Sequence, residues 1–434
     1  MSPPIPVLLV AHQFPPLGGP GTRRPGSWVR EWPTHGIEPL VLCAPAEEGV
    51  RFHGYPIVPG TDVEFAGRTL VRVATPTPGG LARILYAIHA PPRIVWTLAY
   101  RRVREAETPW GRPAIAAGIA LGRERMAKAV VSTSQPYEAH GVGRAIARAL
   151  GVPWIADFRD PMTEAEGRAW PTRVHWWLER REERRIVRDA DLVWTTCNAA
   201  AERCRARFPA VATRVLVRRN GVGPTATRAF PPAQTAPPLR IGHVGRFTDS
   251  TRHHRLAFLD SKPGGRGGDG SSPAPLFAAL ARLLVRRPDL VNRIVWMTVG
   301  STVSWAPPSG VVAEAHPAVG NDEALRLAAS CHALYLPLTE PNRFGTQFVQ
   351  QKVYEYAALG RPVLVSGEPG EAIDQLGPLA RLAARNDVET LAGHIEALAD
   401  AGGRAPGETP PPPPRQADVA AECARDILRL VDGS

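Results

Sequence analysis

A lysine and a glutamate stand three positions apart in an apolar segment of the C-terminal half. Lys352 and Glu355 lie in the run from Gln347 to Gly360 and share one face if this run is helical. A carboxylate there can accept hydrogen bonds from both hydroxyls of a ribose, and the lysine can neutralise a diphosphate. The alternative is an ordinary surface ion pair, which the apolar residues from Tyr356 to Leu359 argue against.

Another cation follows an apolar run earlier in the same half. The segment 239–244 is typical of a buried strand, and Gly245, Arg246 and, further on, Arg252 come after it. A guanidinium just beyond a strand end can bind a ligand phosphate. Taken alone, Arg246 is more typical of a surface arginine, so its role depends on what lies beside it.

In the N-terminal half, a glycine-rich loop follows the first apolar run. In the segment from Phe14 to Gly21, Gly18 and Gly19 would let backbone amides approach a phosphate without an intervening side chain. The helix predicted after it, from Arg24 to His35, would add a positive N-terminus. A tight strand-to-helix turn explains the same glycines.

Polar residues follow two further strand-like runs in this half. Ser134 follows one of them, and His140 falls one turn inside the next helix. Both side chains can bond sugar hydroxyls, and the alternative is a helix cap with a packed histidine. At the end of the other run, Asp157 and Asp160 flank Arg159. Carboxylates there are costly to bury unless they are used or paired, so a functional role and an internal ion pair are both open.

Short apolar runs alternate with helix-like segments along the chain. This alternation predicts parallel strands covered by helices on both faces. It restarts after the proline-rich stretch 230–238, so we expect two Rossmann-like domains, over residues 1–225 and 238–404. A proline spacer with an amphipathic terminal helix follows over residues 405–434. In such sheets ligands bind beyond the carboxyl ends of the strands, where the polar residues above lie.

The composition of the 434 residues excludes several classes of protein. No apolar run reaches the roughly 18 residues of a membrane span, and five scattered cysteines without C-x-x-C predict neither a disulfide framework nor a zinc site. The net charge is +11, and arginine carries nearly all of the positive charge, which suits phosphate but is equally explained by a biased genome. The start of the chain lacks a signal peptide, so we expect a cytoplasmic protein.

Taken together, these segments resemble glycosyltransferase family 4, which has the GT-B fold. In the N-terminal half the resembling segments are the loop Phe14-Pro15-Pro16-x-Gly18-Gly19-x-Gly21-x-x-Arg24 and residues 132–140 and 154–161. In the C-terminal half they are Gly245-Arg246 and the run Lys352-x-x-Glu355-Tyr356-Ala357-Ala358-x-Gly360-x-Pro362. The resemblance implies an α/β protein with two Rossmann-like, doubly wound parallel-sheet domains facing across a cleft. In this family the terminal helix often returns to the first domain.

The resemblance also implies roles for individual residues. Arg246 and a second cation would stabilise a leaving diphosphate, Glu355 would hold the ribose, and the two glycines would contact phosphate or sugar. The implied donor-binding residues are Gly18, Gly19, Arg246, Arg252, Gln347, Lys352 and Glu355. The implied catalytic residues are His140, Asp160 and Arg246, and the acceptor-side candidates are Ser134, Asp157 and Arg159. No metal or cofactor is implied.

The expected activity is a retaining, metal-independent, hexosyltransferase-like reaction of polysaccharide biosynthesis. A nucleotide sugar is the donor, and a glycan, lipid-linked or small molecule is the acceptor; nucleic acid is not expected as a partner. The segment from Leu81 to Arg104 mixes apolar residues with arginines and can lie on the anionic inner membrane face or form buried helices. The alternatives are a non-catalytic GT-B partner protein and a nicotinamide-dependent oxidoreductase.

Overall fold

The computed structural model describes residues 3–53, 55–76, 84, 110–164, 173–226, 238–247, 272–300, 306–338, 348–402 and 411–433. Arg252, Gln347 and all but one residue of the segment from Leu81 to Arg104 lie outside this part. The chain divides into two compact units, which are described separately. The first holds Met1–Arg219 and Gln416–Ser434, and the second holds Asn220–Arg255 and Gly265–Arg415.

The first unit is built on a seven-stranded parallel sheet. Its elements are β1 Ile5–Ala11, α1 Pro20–Glu31, β2 Ile37–Cys43, α2 Ala46–His53, β3 Thr69–Arg72, α3 Gly111–Glu124, β4 Ala129–Thr133, α4 Glu138–Leu150, β5 Trp154–Phe158, α5 Arg173–Asp189, β6 Leu192–Thr195, α6 Asn198–Arg207 and β7 Val215–Val217. The strand order is β3-β2-β1-β4-β5-β6-β7. Short 3-10 turns cover Trp32–His35, Val63–Phe65 and Pro209–Arg214.

The second unit repeats this plan with six strands. Its elements are β8 Leu239–Val244, α7 Ala274–Arg286, β9 Ile294–Val299, β10 Val311–His316, α8 Asn321–Ala329, β11 Ala333–Pro337, α9 Gln351–Leu359, β12 Val363–Ser366, α10 Glu371–Leu376, β13 Ala380–Ala383 and α11 Val388–Asp400. The strand order is β10-β9-β8-β11-β12-β13, and every described pairing is parallel. Pro288–Leu290 and Gly377–Leu379 form 3-10 turns.

Both faces of the first sheet are buried, which explains why its strands are continuous apolar runs. Leu8 and Val10 of β1 point into a core shared with α3 and α4, while Val7, Leu9 and Ala11 point into a core on the other face. Helices therefore cover both sides of the sheet.

A terminal helix, α12, covers Gln416–Asp432 and belongs to the first unit. Its apolar stripe, which includes Cys423 and Ile427, is buried in the same core as Trp194. The Asp426 carboxylate accepts hydrogen bonds from Trp194 Nε1 at 3.0 Å and from Arg218 Nη2 at 2.7 Å. Buried packing and a buried charge pair thus hold this helix in place.

The strand orders confirm the predicted Rossmann-like, doubly wound class. In each sheet the order reverses next to the first strand, between β1 and β4 and between β8 and β11. Loops leaving adjacent strands on opposite sides of such a point open a crevice for ligands. The described residues contain no helix that is both long and apolar enough to span a bilayer.

Candidate functional site

The end of β8 forms the reversal point of the second unit. Gly245 follows the strand with φ of +111°, and its N–H donates to the carbonyl of Val299 at 2.9 Å. A Cβ at this position would lie 3.4 Å from Lys352 Nζ. Glycine therefore provides the left-handed backbone, the lysine nitrogen lies directly beside it, and the half-buried Arg246 comes next in the chain.

Helix α9 brings Lys352 and Glu355 to this strand end. The two residues share a helix face, Lys352 half-buried and Glu355 6% exposed. The hydroxyl of Tyr356, in the following turn, accepts a hydrogen bond from the N–H of Val244 at 3.0 Å. This bond ties α9 to the last residue of β8, so the lysine and the glycine loop are held in register.

His243 is the buried residue that joins the strand to the lysine. Its Nδ1 lies 2.9 Å from the carbonyl oxygen of Tyr335, and because a carbonyl only accepts, Nδ1 carries the proton. Nε2 is then an acceptor, and Lys352 Nζ lies 3.4 Å from it. Burial, and then the charge of Lys352, hold the pKa of His243 well below its usual range. The ring is therefore neutral and accepts from the lysine.

Sequence reasoning missed this role for His243. The signal was present, because a histidine lies in the inner part of a mostly apolar strand, two residues before Gly245. Nothing in the sequence, however, connects this histidine with a lysine 109 positions away.

Among the described residues no group of three or more histidines, cysteines or carboxylates could hold a metal ion. The Asp-x-Asp pair in the first unit, at 189 and 191, has structural partners. Asp189 binds Arg148 at 2.8 Å, and Asp191 accepts from the backbone N–H of Trp154 at 2.8 Å. These contacts give both carboxylates a structural role.

In the first unit, the glycine loop after β1 packs against residues 55–58. The N–H of Gly18 donates to the carbonyl of Pro56 at 2.7 Å. Gly19 has φ of +95°, and a Cβ there would lie 2.7 Å from the ring of Tyr55. The tight packing of this turn thus explains why both positions are glycine. Their contact with a donor remains a prediction.

Asp157 lies at the end of β5 in a buried ion pair. Its carboxylate accepts from Arg24 Nη2 at 2.8 Å and Nε at 3.0 Å, and from Thr133 Oγ1 at 2.7 Å. Ser134 is also fully buried, with its Oγ 3.5 Å from the carbonyl oxygen of Asp157. These two acceptor-side candidates face inward, so the structure favours the ion-pair interpretation for Asp157 over direct contact with an acceptor.

Arg159 and Asp160 are both half-buried at the same strand end. Arg159 Nε donates to the carbonyl of Ser134, and Gln135 Nε2 donates to Asp160 Oδ2 at 3.1 Å. Burial raises the pKa of Asp160, an effect that the Arg159 charge partly opposes. Burial likewise lowers the pKa of Arg159. The loops after β4 and β5 therefore present one arginine and one carboxylate with a perturbed pKa.

His140 lies in the core and not at the loop surface where a catalytic residue is expected. It has no exposed area, its ring centroid is 4.4 Å from that of Phe158, and its Nδ1 lies 2.9 Å from Ser132 Oγ. Burial, and then the charge of Arg159, lower the pKa of His140 to about 3. The structure therefore does not bring His140 to a position from which it can contact a substrate.

Comparison with known proteins agrees with this architecture. Residues 18–221 match the family described as "Glycosyl transferase 4-like domain". None of the curated proteins gives a sequence match.

Three solved structures are similar over nearly the whole chain. HepE from Anabaena in complex with UDP-glucose is 14% identical, covers 99% of this chain and 98% of its own, and has a TM-score of 0.53. The trehalose-6-phosphate synthase OtsA is 12% identical, with 99% and 97% covered and a TM-score of 0.53. A protein from Listeria monocytogenes assigned as a UDP-N-acetylglucosamine 2-epimerase is 10% identical, with 100% and 98% covered and a TM-score of 0.50.

At these identities the likeness establishes the fold. The family match establishes the kind of domain in the N-terminal half, and it confirms the resemblance seen in the sequence. The chain therefore has the two-domain GT-B fold, and its residues 18–221 match the glycosyltransferase 4-like domain family.

Proposed function

We propose that this chain is a retaining, metal-independent glycosyltransferase that uses a nucleoside-diphosphate sugar and a glycan, lipid-linked or small-molecule acceptor. One observation carries the proposal: Lys352 Nζ is held against Gly245 at the reversal point of the second sheet, with Arg246 next to that glycine. The similarity to HepE, whose structure contains UDP-glucose, supports a donor of this class.

The chemistry of sugar transfer explains why cations belong at this strand end. Breaking the bond between sugar and phosphate develops negative charge on the diphosphate oxygens. Arg246 and Lys352, positioned before the reaction begins, stabilise that charge in the transition state more than in the ground state. Glu355, on the same helix face as the lysine, binds the ribose hydroxyls of the donor.

The first unit supplies the acceptor side of the proposed reaction. Arg159 and Asp160 are half-buried at the ends of the strands, and we assign them to acceptor contact. Asp160 is the candidate for proton transfer, because a carboxylate with a raised pKa accepts a proton more readily near neutral pH. Asp157 and Ser134 support this loop from inside, and His140 has no part in the proposed chemistry.

The donor assignment is tested by calorimetric titration of UDP, GDP and dTDP into the wild-type protein and into Glu355→Ala. The variant should bind the preferred nucleotide more weakly by about 1–3 kcal/mol, the scale of a lost charged hydrogen bond. Asp322→Ala, which removes an exposed carboxylate from the same unit, should bind like the wild type. Equal affinity of all three proteins would disprove the role of Glu355.

Product analysis with the matching nucleotide sugar then separates catalysis from binding. Release of nucleoside diphosphate together with a glycosylated acceptor of retained configuration supports the transferase. Tight nucleotide binding with neither transfer nor donor hydrolysis would identify a non-catalytic partner protein instead.

A further inference from the structure

Helix α5 presents a stripe of one tryptophan and four arginines to solvent. Trp177, Arg180, Arg181, Arg184 and Arg188 are all exposed, and their spacing places them along one face of the helix. Trp177 is 53% exposed and is the one aromatic residue among the exposed large apolar side chains of the described part of the chain. These five residues are called the α5 stripe below.

The acidic residues of α5 point the other way. Glu179, Glu182 and Glu183 are buried, and Glu183 binds Arg207 Nη2 at 2.7 Å. Glu182 pairs with the half-buried Arg185 at 3.2 Å. Asp189, the last residue of α5, binds Arg188 Nε at 2.9 Å, so the uncompensated positive charge of the α5 stripe lies at Arg180, Arg181 and Arg184.

Two arginines of the α5 stripe, Arg180 and Arg181, lie over indole rings. The guanidinium of Arg181 lies 5.7 Å from the ring centroid of Trp177, and that of Arg180 lies 5.1 Å from Trp176. Within the described residues, no carboxylate lies within 4.0 Å of Arg180, Arg181 or Arg184. Stacked guanidinium groups keep their N–H edges available for bidentate contact with phosphate.

We propose that the α5 stripe docks the protein on an anionic phospholipid bilayer. Arginines bind lipid phosphates, and an indole ring favours the headgroup region, where its apolar body and its N–H are both accommodated. The stripe is straight and spans about 16 Å from Trp177 to Arg188, so it fits a flat surface. Single-stranded nucleic acid fits the α5 stripe less well. Proteins that bind it stack successive bases on several aromatic rings along a groove, whereas the α5 stripe has one tryptophan.

This inference goes beyond the proposed function, because it does not depend on the donor site. It also differs from the membrane contact expected for the segment from Leu81 to Arg104. The present surface lies on a single described helix of the first unit.

The test is flotation of the full-length protein with phosphatidylcholine vesicles with and without phosphatidylglycerol. We expect binding only to the anionic vesicles, and weaker binding as salt is raised. The triple variant Arg180→Gln, Arg181→Gln, Arg184→Gln should lower the partition coefficient about 100-fold, since each arginine near an anionic leaflet contributes about five-fold. Trp177→Ser should lower binding also at high salt, where charge attraction is screened.

A matched control removes the same charge elsewhere in the first unit. Arg123→Gln, Arg425→Gln, Arg429→Gln alters three exposed arginines and should change vesicle binding less than about two-fold. Equal loss in both triple variants would show that binding follows net charge, and the proposal would be wrong.

Two further outcomes would also overturn the proposal. One is no flotation of the wild-type protein with anionic vesicles. The other is that the wild-type protein binds single-stranded RNA and not vesicles, and that the triple variant of Arg180, Arg181 and Arg184 no longer binds the RNA. Unchanged UDP affinity and unchanged thermal unfolding of the variants separate this test from failure of the donor site or of the fold.

Discussion

In the described part of each unit, one histidine without exposed area lies beside the reversal point of the sheet, His140 in the first unit and His243 in the second. Neither has exposed area, and burial lowers the pKa of both. Each ring packs against a phenylalanine: His140 is tilted against Phe158 with ring centroids 4.4 Å apart, and His243 stacks on Phe247 at 4.0 Å. By burial and pKa alone, the two residues would be assigned the same role.

Their neighbours show that the roles differ. The Nδ1 atom of His140 contacts Ser132 Oγ, which also accepts from Trp154 Nε1 at 2.9 Å, and its Nε2 has no hydrogen-bond partner among the described groups. The Nε2 of His243 instead contacts Lys352 at the end of β8. A perturbed histidine pKa therefore indicates function only where the second ring nitrogen contacts a group that a ligand can reach.

Replacing Lys352 should have the largest effect on catalysis. It tests whether the strand end beside His243, and not the surroundings of His140, takes part in the reaction. Lys352→Met keeps the length and apolar stem of the side chain but removes the charge. We expect kcat to fall about 100- to 1000-fold, the cost of losing one pre-positioned group that stabilises transition-state charge. Steady-state kinetics should show a smaller change in donor KM. A normal kcat would contradict the role of Lys352 in the proposed transfer.

Replacing His243 should have an intermediate effect, because it acts by positioning the lysine. In His243→Asn the amide nitrogen can still donate to the carbonyl of Tyr335, but the amide oxygen of this shorter side chain does not reach the position of Nε2, where Lys352 is bound. We expect kcat to fall about ten-fold through misplacement of the ammonium group. In His243→Gln the longer side chain can bring its oxygen to the lysine, so kcat should stay within about three-fold of the wild type.

A double-mutant cycle separates positioning from a merely structural role. In the Lys352→Met background, His243→Asn should change kcat less than about two-fold, because no ammonium group remains to be positioned. An equal loss of kcat in both backgrounds, accompanied by equal loss of thermal stability, would show that His243 only packs the core.

The architecture was predictable because its signals are local. Runs such as the one ending at Ala11 are buried on both faces, so they are apolar throughout and identify the central strands. The sequence predicted none of the four edge strands, β3, β7, β10 and β13. Most of their residues are half-buried or exposed, as in Val311–His316, so these strands lack a long, fully buried apolar run.

The candidate site was predictable in its parts but not in its contacts. The spacing of Lys352 and Glu355 predicted a shared helix face, and the structure has them on one. Sequence could not reveal that Asp157 pairs with Arg24, because the two are 133 positions apart. His140 was assigned to catalysis from the resemblance, although the fold directs its ring into the core.

Replacing His140 should have the smallest effect on catalysis. In His140→Asn the shorter amide can keep the contact with Ser132. We expect kcat to change less than about two-fold and the free energy of unfolding to fall by about 1–3 kcal/mol, as for a partly emptied core site. Suppose instead that kcat falls as far as in Lys352→Met while stability stays at the wild-type level. His140 would then belong to the catalytic machinery, and the distinction drawn between His140 and His243 would be wrong.

The pH dependence of stability gives a second measurement on the same variant. An unfolded histidine titrates near pH 6.5, whereas burial lowers the pKa of folded His140 to about 3. Between these values the unfolded chain binds a proton that the folded chain does not, so the stability from this site is complete above pH 6.5 and is lost as the pH falls. The maximal slope is about 1.4 kcal/mol per pH unit. Urea denaturation from pH 7 to lower pH should therefore show a shallower acid decline in His140→Asn than in the wild type, with the remaining decline including that of His243. Identical declines would mean that the His140 ring takes up a proton in the folded state, as a core histidine would not.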